Sequence, residues 1–152
     1  MDYKAALNRL LGLTDYERIT TLGTRQARYD LTRIGAFLQR LEAPHRCAPV
    51  VHIAGTKGKG STAALCTSAL AAQGYLVGLY TSPHLHSFCE RIRMNGRPIS
   101  EPDFAWVVEE LWPRLEDFGA TSGCGSLTLF ETLTAMAFWY FAPVSYTHLT
   151  LP

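Results

Sequence analysis

The chain has 152 residues, 47% of them hydrophobic and 18% charged, with a formal net charge of +1. That length suffices for one domain with a real core, and the composition excludes an intrinsically disordered chain. The near-neutral balance gives no electrostatic ground for binding nucleic acid or an anionic membrane, and no apolar run reaches membrane-spanning length.

Residues 3 to 12 place Ala5, Ala6, Leu7, Leu10 and Leu11 near helical spacing before Gly12, in an opening stretch too mixed in charge for a signal peptide. Residues 13 to 29 read as loop. Asp30 is placed to cap a second helix whose Leu31, Ile34, Phe37, Leu38 and Leu41 make one apolar stripe, closed by Pro44. Both helices read as packing elements.

Pro49 to Thr62, PVVHIAGTKGKGST, is the stretch around which the chain is organised. Val50, Val51, Ile53 and Ala54 predict a buried strand, Gly55 to Gly60 a glycine loop carrying Lys57 and Lys59, and Ser61 to Ala72 a helix. A strand, a glycine loop and a helix cradle phosphate. Glycines let backbone N–H groups converge, the helix start adds its positive dipole, a lysine adds a mobile charge, and a hydroxyl can meet phosphate or its Mg²⁺. The strict G-x-x-x-x-G-K-[ST] pattern is not met, because Ile53 stands at its first glycine and Gly60 at its hydroxyl. A ligand-free structural turn is the bland alternative, and two lysines among three glycines are poor material for one.

Gln73-Gly74 signals the end of that helix, and Tyr75 to Tyr80 reads as a second buried strand, so a parallel βαβ unit is expected, with ligands beyond the carboxyl ends of its strands. Thr81-Ser82-Pro83-His84-Leu85 and Glu90-Arg91-Ile92-Arg93 come next. Taken alone, Ser82-Pro83 would be a turn, and His84 and His86 a solvent-facing loop. Asn95-Gly96 predicts a hairpin. A helix starting near Ser100 or Pro102-Asp103 carries Phe104, Val107, Val108, Leu111 and Leu115 on its core face, and Pro113 is expected to kink or split it. After the loop Thr121 to Ser126, Leu127 to Glu131 leads into a strongly apolar helix, Thr132 to Phe141.

The loop GTKGKGST resembles the nucleotide loop of the folylpolyglutamate and dihydrofolate synthases, a branch of the Mur ligase superfamily that writes G-T-[NK]-G-K-G-[ST]. YTSPHL with ERIR, and the segment SLTLFETLTAMA, resemble two further motifs of the same family in the same order. The resemblance implies an α/β fold, P-loop-containing, with a mainly parallel sheet and flanking helices: a truncated central ATP-binding domain of the Mur ligase type. It implies ATP held by Gly55, Thr56, Lys57, Gly58, Lys59, Gly60, Ser61 and Thr62, with Lys59 the catalytic residue on the transferring phosphoryl group. Ser82 is implied as a Mg²⁺ ligand, and Thr128 and Phe130 as contacts to the pterin end of a folate substrate. A neutral hydroxyl suits a Mg²⁺ held mainly by phosphate and water, and an aromatic face suits a flat heterocycle. Packing and helix capping are the plain alternatives for Thr128 and Phe130, and Glu131 can answer the helix dipole.

The resemblance runs over residues 1–142, expected to be the N-terminal part of the ligase domain. Residues 143–152 are expected to be a non-native tail, VSYTHL reading like the translation of a transposon-type sequencing adaptor. The resemblance implies that a motif of the form LEVGLGGRLDATN, further metal ligands and a glutamate-ligase domain belong to the parent outside this stretch. The implied parent is a monomeric, cytoplasmic ligase that phosphorylates the carboxylate of dihydropteroate or a folate and lets the amine of L-glutamate attack, whereas the chain alone is expected to be inactive. Another Mur-type peptide ligase and a non-catalytic nucleotide-binding module remain alternatives. In such sheets the strand after the last helix lies beside Pro49 to Ala54. Without it, Val50, Val51 and Ile53 are expected to present an unpaired apolar edge. Cys47, Cys66, Cys89 and Cys124 lack C-x-x-C spacing and fit free thiols in a reducing compartment.

Overall fold

The computed structural model describes residues 1–15 and 31–148, with 143–148 given by backbone alone. The expected cap at Asp30 and most of the loop 13–29 lie outside the described residues. Helix α1 (Tyr3–Leu11) starts at Asp2, whose carboxylate accepts the N–H of Ala5 at 2.7 Å, and ends at Gly12. It buries Ala6 and Leu10 and lies on α4 (Glu101–Thr121), where the rings of Tyr3 and Phe104 meet edge to face at 5.4 Å. Helix α2 (Leu31–Arg40) buries the Ile34, Phe37 and Leu38 stripe, as its periodicity predicts, and Leu41 continues into the core. Full burial of a ring such as Phe37 is worth about 1.5–3 kcal/mol.

Ser100 caps α4 by accepting the N–H of Asp103. Its buried face is Phe104, Ala105, Val107, Val108, Leu111 and Phe118, with Leu115 only half-buried. Pro113 does not divide this helix. Pro113 is exposed to solvent, while Leu111 and Phe118 hold the two halves on one core, so packing offsets the lost hydrogen bond. Helix α5 (Leu129–His148) runs through the centre, burying Leu129, Leu133, Ala135, Met136 and Ala137 against α2 and α4.

The sheet differs from expectation. Strand β1 (Gly78–Tyr80) is shorter than Tyr75 to Tyr80 and pairs antiparallel with β2 (Ile92–Met94), Tyr80 facing Ile92 and Gly78 facing Met94. Strand β3 (Arg97–Pro98) joins β2 through the expected turn, with Asn95 and Gly96 at φ 47° and 78°. The described residues thus form one antiparallel sheet of three strands, and no parallel βαβ pairing occurs among them. Residues 50–54 form no strand, and Val50 and Val51 are 63% and 69% exposed instead of buried. This segment has no ladder partner among the described residues, and backbone groups outside a ladder are satisfied by water at an exposed surface. The strand edge expected at Val50, Val51 and Ile53 is therefore not formed: Val50 and Val51 are exposed outside any strand, and Ile53 is half-buried.

Helix α3 (Lys59–Ala72) begins two residues before the expected Ser61. It packs beside β1 with only Thr67 buried. α5 also reaches β1, so closely that a Cβ on Gly78 would stand 2.7 Å from the ring of Phe141.

Candidate functional site

Gly58 is the N-cap of α3 at φ 76°, a left-handed conformation that favours glycine, and no side chain caps this helix start. Gly55 to Thr62 are all exposed. The Lys59 ammonium curls back to donate to the carbonyl of Gly55 at 2.7 Å, and the Thr62 hydroxyl donates to the carbonyl of Gly58 at 3.0 Å. These bonds close the loop on itself, with a full positive charge at its mouth and the first-turn N–H groups of α3 beside it. Such a surface attracts phosphate.

The second segment begins where β1 ends. Ser82 is exposed and is joined to Pro83 by a cis peptide bond. The loop behind it is held by Glu90 and Arg91. The Glu90 carboxylate accepts the N–H groups of Leu85, His86 and Ser87 at 3.0, 2.9 and 3.0 Å, and the Ser87 hydroxyl completes a capping box. The three backbone donors, Leu85 first, hold the Glu90 carboxyl at about 2, against an ordinary 4.5. Arg91 is buried, donates from Nε to Nδ1 of His84 at 2.9 Å, and lays its guanidinium over Phe88, whose ring centroid is 4.2 Å from that of His84. Tyr3 reaches across from α1 to share a hydrogen bond with Ser87 at 3.1 Å.

The third segment opens α5. Thr128 and Glu131 form a reciprocal capping box. The Thr128 N–H and hydroxyl both donate to Oε2 of Glu131, at 2.8 and 2.9 Å, and the Glu131 N–H donates back to the hydroxyl at 3.3 Å. Thr128 is buried and its hydroxyl proton is engaged, so toward any ligand that hydroxyl has only an acceptor lone pair left. Phe130, between the two box members, is 46% exposed, and its ring lies 6.2 Å from that of Tyr80.

Phe130 is thereby brought to the end of β1, two residues from Ser82, whereas the hydrogen bonds of Lys59 and Thr62 stay within their own loop. Sequence reasoning did not assign functions to Glu90, Arg91 and Arg33. The dipeptide Glu90-Arg91 was visible as part of a motif, and the i to i+3 spacing of Thr128 and Glu131 carried the capping-box signal. No group of three or more His, Cys, Asp or Glu residues among those described converges on a metal position, and no helix among them is long and apolar enough to cross a membrane.

No family model matches the chain. It is 43% identical over 112 residues to the dihydrofolate synthase/folylpolyglutamate synthase of Bacillus subtilis, a match covering 74% of this chain and 26% of that protein. The folylpolyglutamate synthase of Thermotoga maritima superposes with a TM-score of 0.79 at 38% identity, over 93% of this chain and 30% of the other. A folylpolyglutamate synthase in complex with AMPPCP and folate gives a TM-score of 0.82 at 30% identity, over 95% of this chain and 33% of its own. The chain thus spans about a quarter to a third of the length of these proteins.

Proposed function

Because the chain is a homologue of the folylpolyglutamate and dihydrofolate synthases, with their α/β fold, we propose that it forms part of a longer ATP-dependent ligase that adds L-glutamate to dihydropteroate or a folate. The observation that carries this is the exposed glycine loop at the uncapped start of α3, with Lys59 over its mouth. In the reaction class concerned, ATP phosphorylates the substrate carboxylate, and the amine of glutamate displaces phosphate from the acyl phosphate. The loop from Gly55 to Thr62, including Thr56, Lys57, Gly60 and Ser61, would take the nucleotide phosphates on backbone N–H groups. Lys59 would exchange the Gly55 carbonyl for the transferring phosphoryl group and offset the negative charge that develops there.

The exposed hydroxyl of Ser82 would serve as a neutral ligand to a Mg²⁺ held mainly by phosphate and water. When bound there, Mg²⁺ would neutralise charge on the nucleotide phosphates. Glu90 holds the backbone of the loop after Ser82, and Arg91 holds the His84 ring within it. Phe130, with Tyr80 beside it, offers an aromatic face to the pterin end of the substrate, and Thr128 an acceptor at its edge. On this reading the parent would act in the cytoplasm. The remaining metal ligands and the glutamate site would come from parts of the parent outside residues 1–142. The full-length parent should release ADP in the presence of glutamate only when dihydropteroate or a folate is also supplied. ADP release driven by a peptidoglycan precursor instead would assign it to a different Mur-type ligase.

A further inference from the structure

We infer that Glu131, clamped by Arg33, is a positioning residue that sets the direction of Phe130 and so governs recognition of the flat aromatic end of the substrate; this rests on the substrate face proposed above. A capping box needs no ion pair. Here the box carboxylate also takes the fork of Arg33 from α2, far away in sequence, with Nε 3.0 Å from Oε2 and Nη2 3.0 Å from Oε1. Both side chains are largely buried, at 17% and 11% exposed. A buried ion pair returns little stability over an apolar packing of equal volume, and its best-attested use is to specify one arrangement.

The arrangement specified here is the first turn of α5. Thr128, Leu129, Glu131, Thr132 and Leu133 are buried around it, and Phe130 alone among them turns outward. With the backbone pinned on both sides, by the Thr128 N–H on Glu131 and the Thr132 N–H on the Thr128 carbonyl, the Phe130 ring is held at a 52° tilt to Tyr80. The two rings form an edge suited to a planar heterocycle. Both carboxylate oxygens of Glu131 are taken up by Arg33 and Thr128, so in this role it does not contact the substrate. It acts through Phe130, and its effect falls on the pteroyl substrate and not on ATP.

Steady-state kinetics of the full-length parent test this with Phe130→Ala, Glu131→Gln, the two combined, and Arg33→Met with Glu131→Gln. Glu131→Gln should raise KM for the pteroyl substrate about tenfold and leave kcat and KM for ATP within about twofold. In the Phe130→Ala background the same change should add less than about twofold, since coupled residues are not additive. The Arg33→Met, Glu131→Gln variant leaves no unpaired charge buried, so it should melt near the wild type yet keep the KM defect. Parallel rises in both KM values, full additivity with Phe130→Ala, or a normal KM in that neutral pair would each overturn the positioning role alone. An active enzyme in which Phe130→Ala leaves the pteroyl KM unchanged overturns the substrate face and this inference together. A parent without glutamate-ligating activity removes the functional reading and the inference with it.

Discussion

Arg91 donates from Nε to Nδ1 of His84 at 2.9 Å, so a buried guanidinium holds the ring of a residue in the loop just after Ser82. With Nδ1 accepting, neutral His84 carries its proton on Nε2. The neighbouring carboxylate, Glu90, ties down the next three backbone N–H groups of the same loop. The dipeptide Glu90-Arg91 is therefore the clasp of the Ser82 loop: one residue holds its backbone, the other its imidazole.

The clasp is pH-dependent on the acid side. Glu90 has a folded value of about 2, below its ordinary 4.5, so the loop's stabilisation is complete above pH 4.5 and is lost as pH falls toward 2. Amide hydrogen exchange at Leu85, His86 and Ser87 should rise through that window beyond the intrinsic pH trend. Glu90→Gln should raise it at neutral pH and flatten the acid dependence. Protection unchanged by the substitution would show that the carboxylate does not hold the loop.

Lys59→Ala in the full-length parent should lower turnover at least about a hundredfold while leaving the melting temperature in place, because its ammonium is exposed and bonded only within the loop. Lys57→Asn should be mild, since the resembled motif accepts asparagine there. Equal losses in kcat from the two changes would mean the register of the loop is misassigned.

Ser82→Ala should raise the Mg²⁺ concentration needed for half-maximal activity, with little change in melting, since the side chain is exposed. A variant that melts much lower but keeps the normal Mg²⁺ dependence would reduce Ser82 to a turn residue.

Gly78→Ala should destabilise the protein by about 1–3 kcal/mol, the usual cost of overpacking. The added methyl would stand 2.7 Å from the Phe141 ring, and that ring must move. Denaturant unfolding measures the cost, and Phe141→Ala in the same chain should recover part of it. A neutral Gly78→Ala would show that α5 shifts away from β1 at no cost.

The 152-residue chain by itself should self-associate and bind ATP weakly, because Val50 and Val51 are exposed outside any strand and Leu65 on the adjoining helix is 72% exposed. Sedimentation should show concentration-dependent assembly that Val50→Lys with Val51→Lys reduces. A monomer across the micromolar range would refute this.

The local signals were legible in the sequence because each rests on a few neighbouring residues. The stripe of α2, the Asn95-Gly96 turn and the Ser100 cap stand where spacing and turn chemistry put them, and the glycine loop leads into α3 two residues early, since 3.6-residue periodicity and left-handed glycine are properties of short segments. Strand pairing was not legible. The apolar run Val50 to Ala54 states only that it can be buried, and whether it is depends on a neighbour that the described residues do not supply. β1 instead found β2, next along the chain, which made the sheet antiparallel. Long-range partnerships decided the candidate site in the same way. No spacing rule joins Arg33 to Glu131, Tyr3 to Ser87 or Tyr80 to Phe130; the packing of α2 on α5 and of α5 on β1 brings the first and last pairs within reach, and Tyr3 meets Ser87 across the turn that Ser87 caps. Sequence determined which groups were present and which turns would carry them, and tertiary packing decided which of those groups meet.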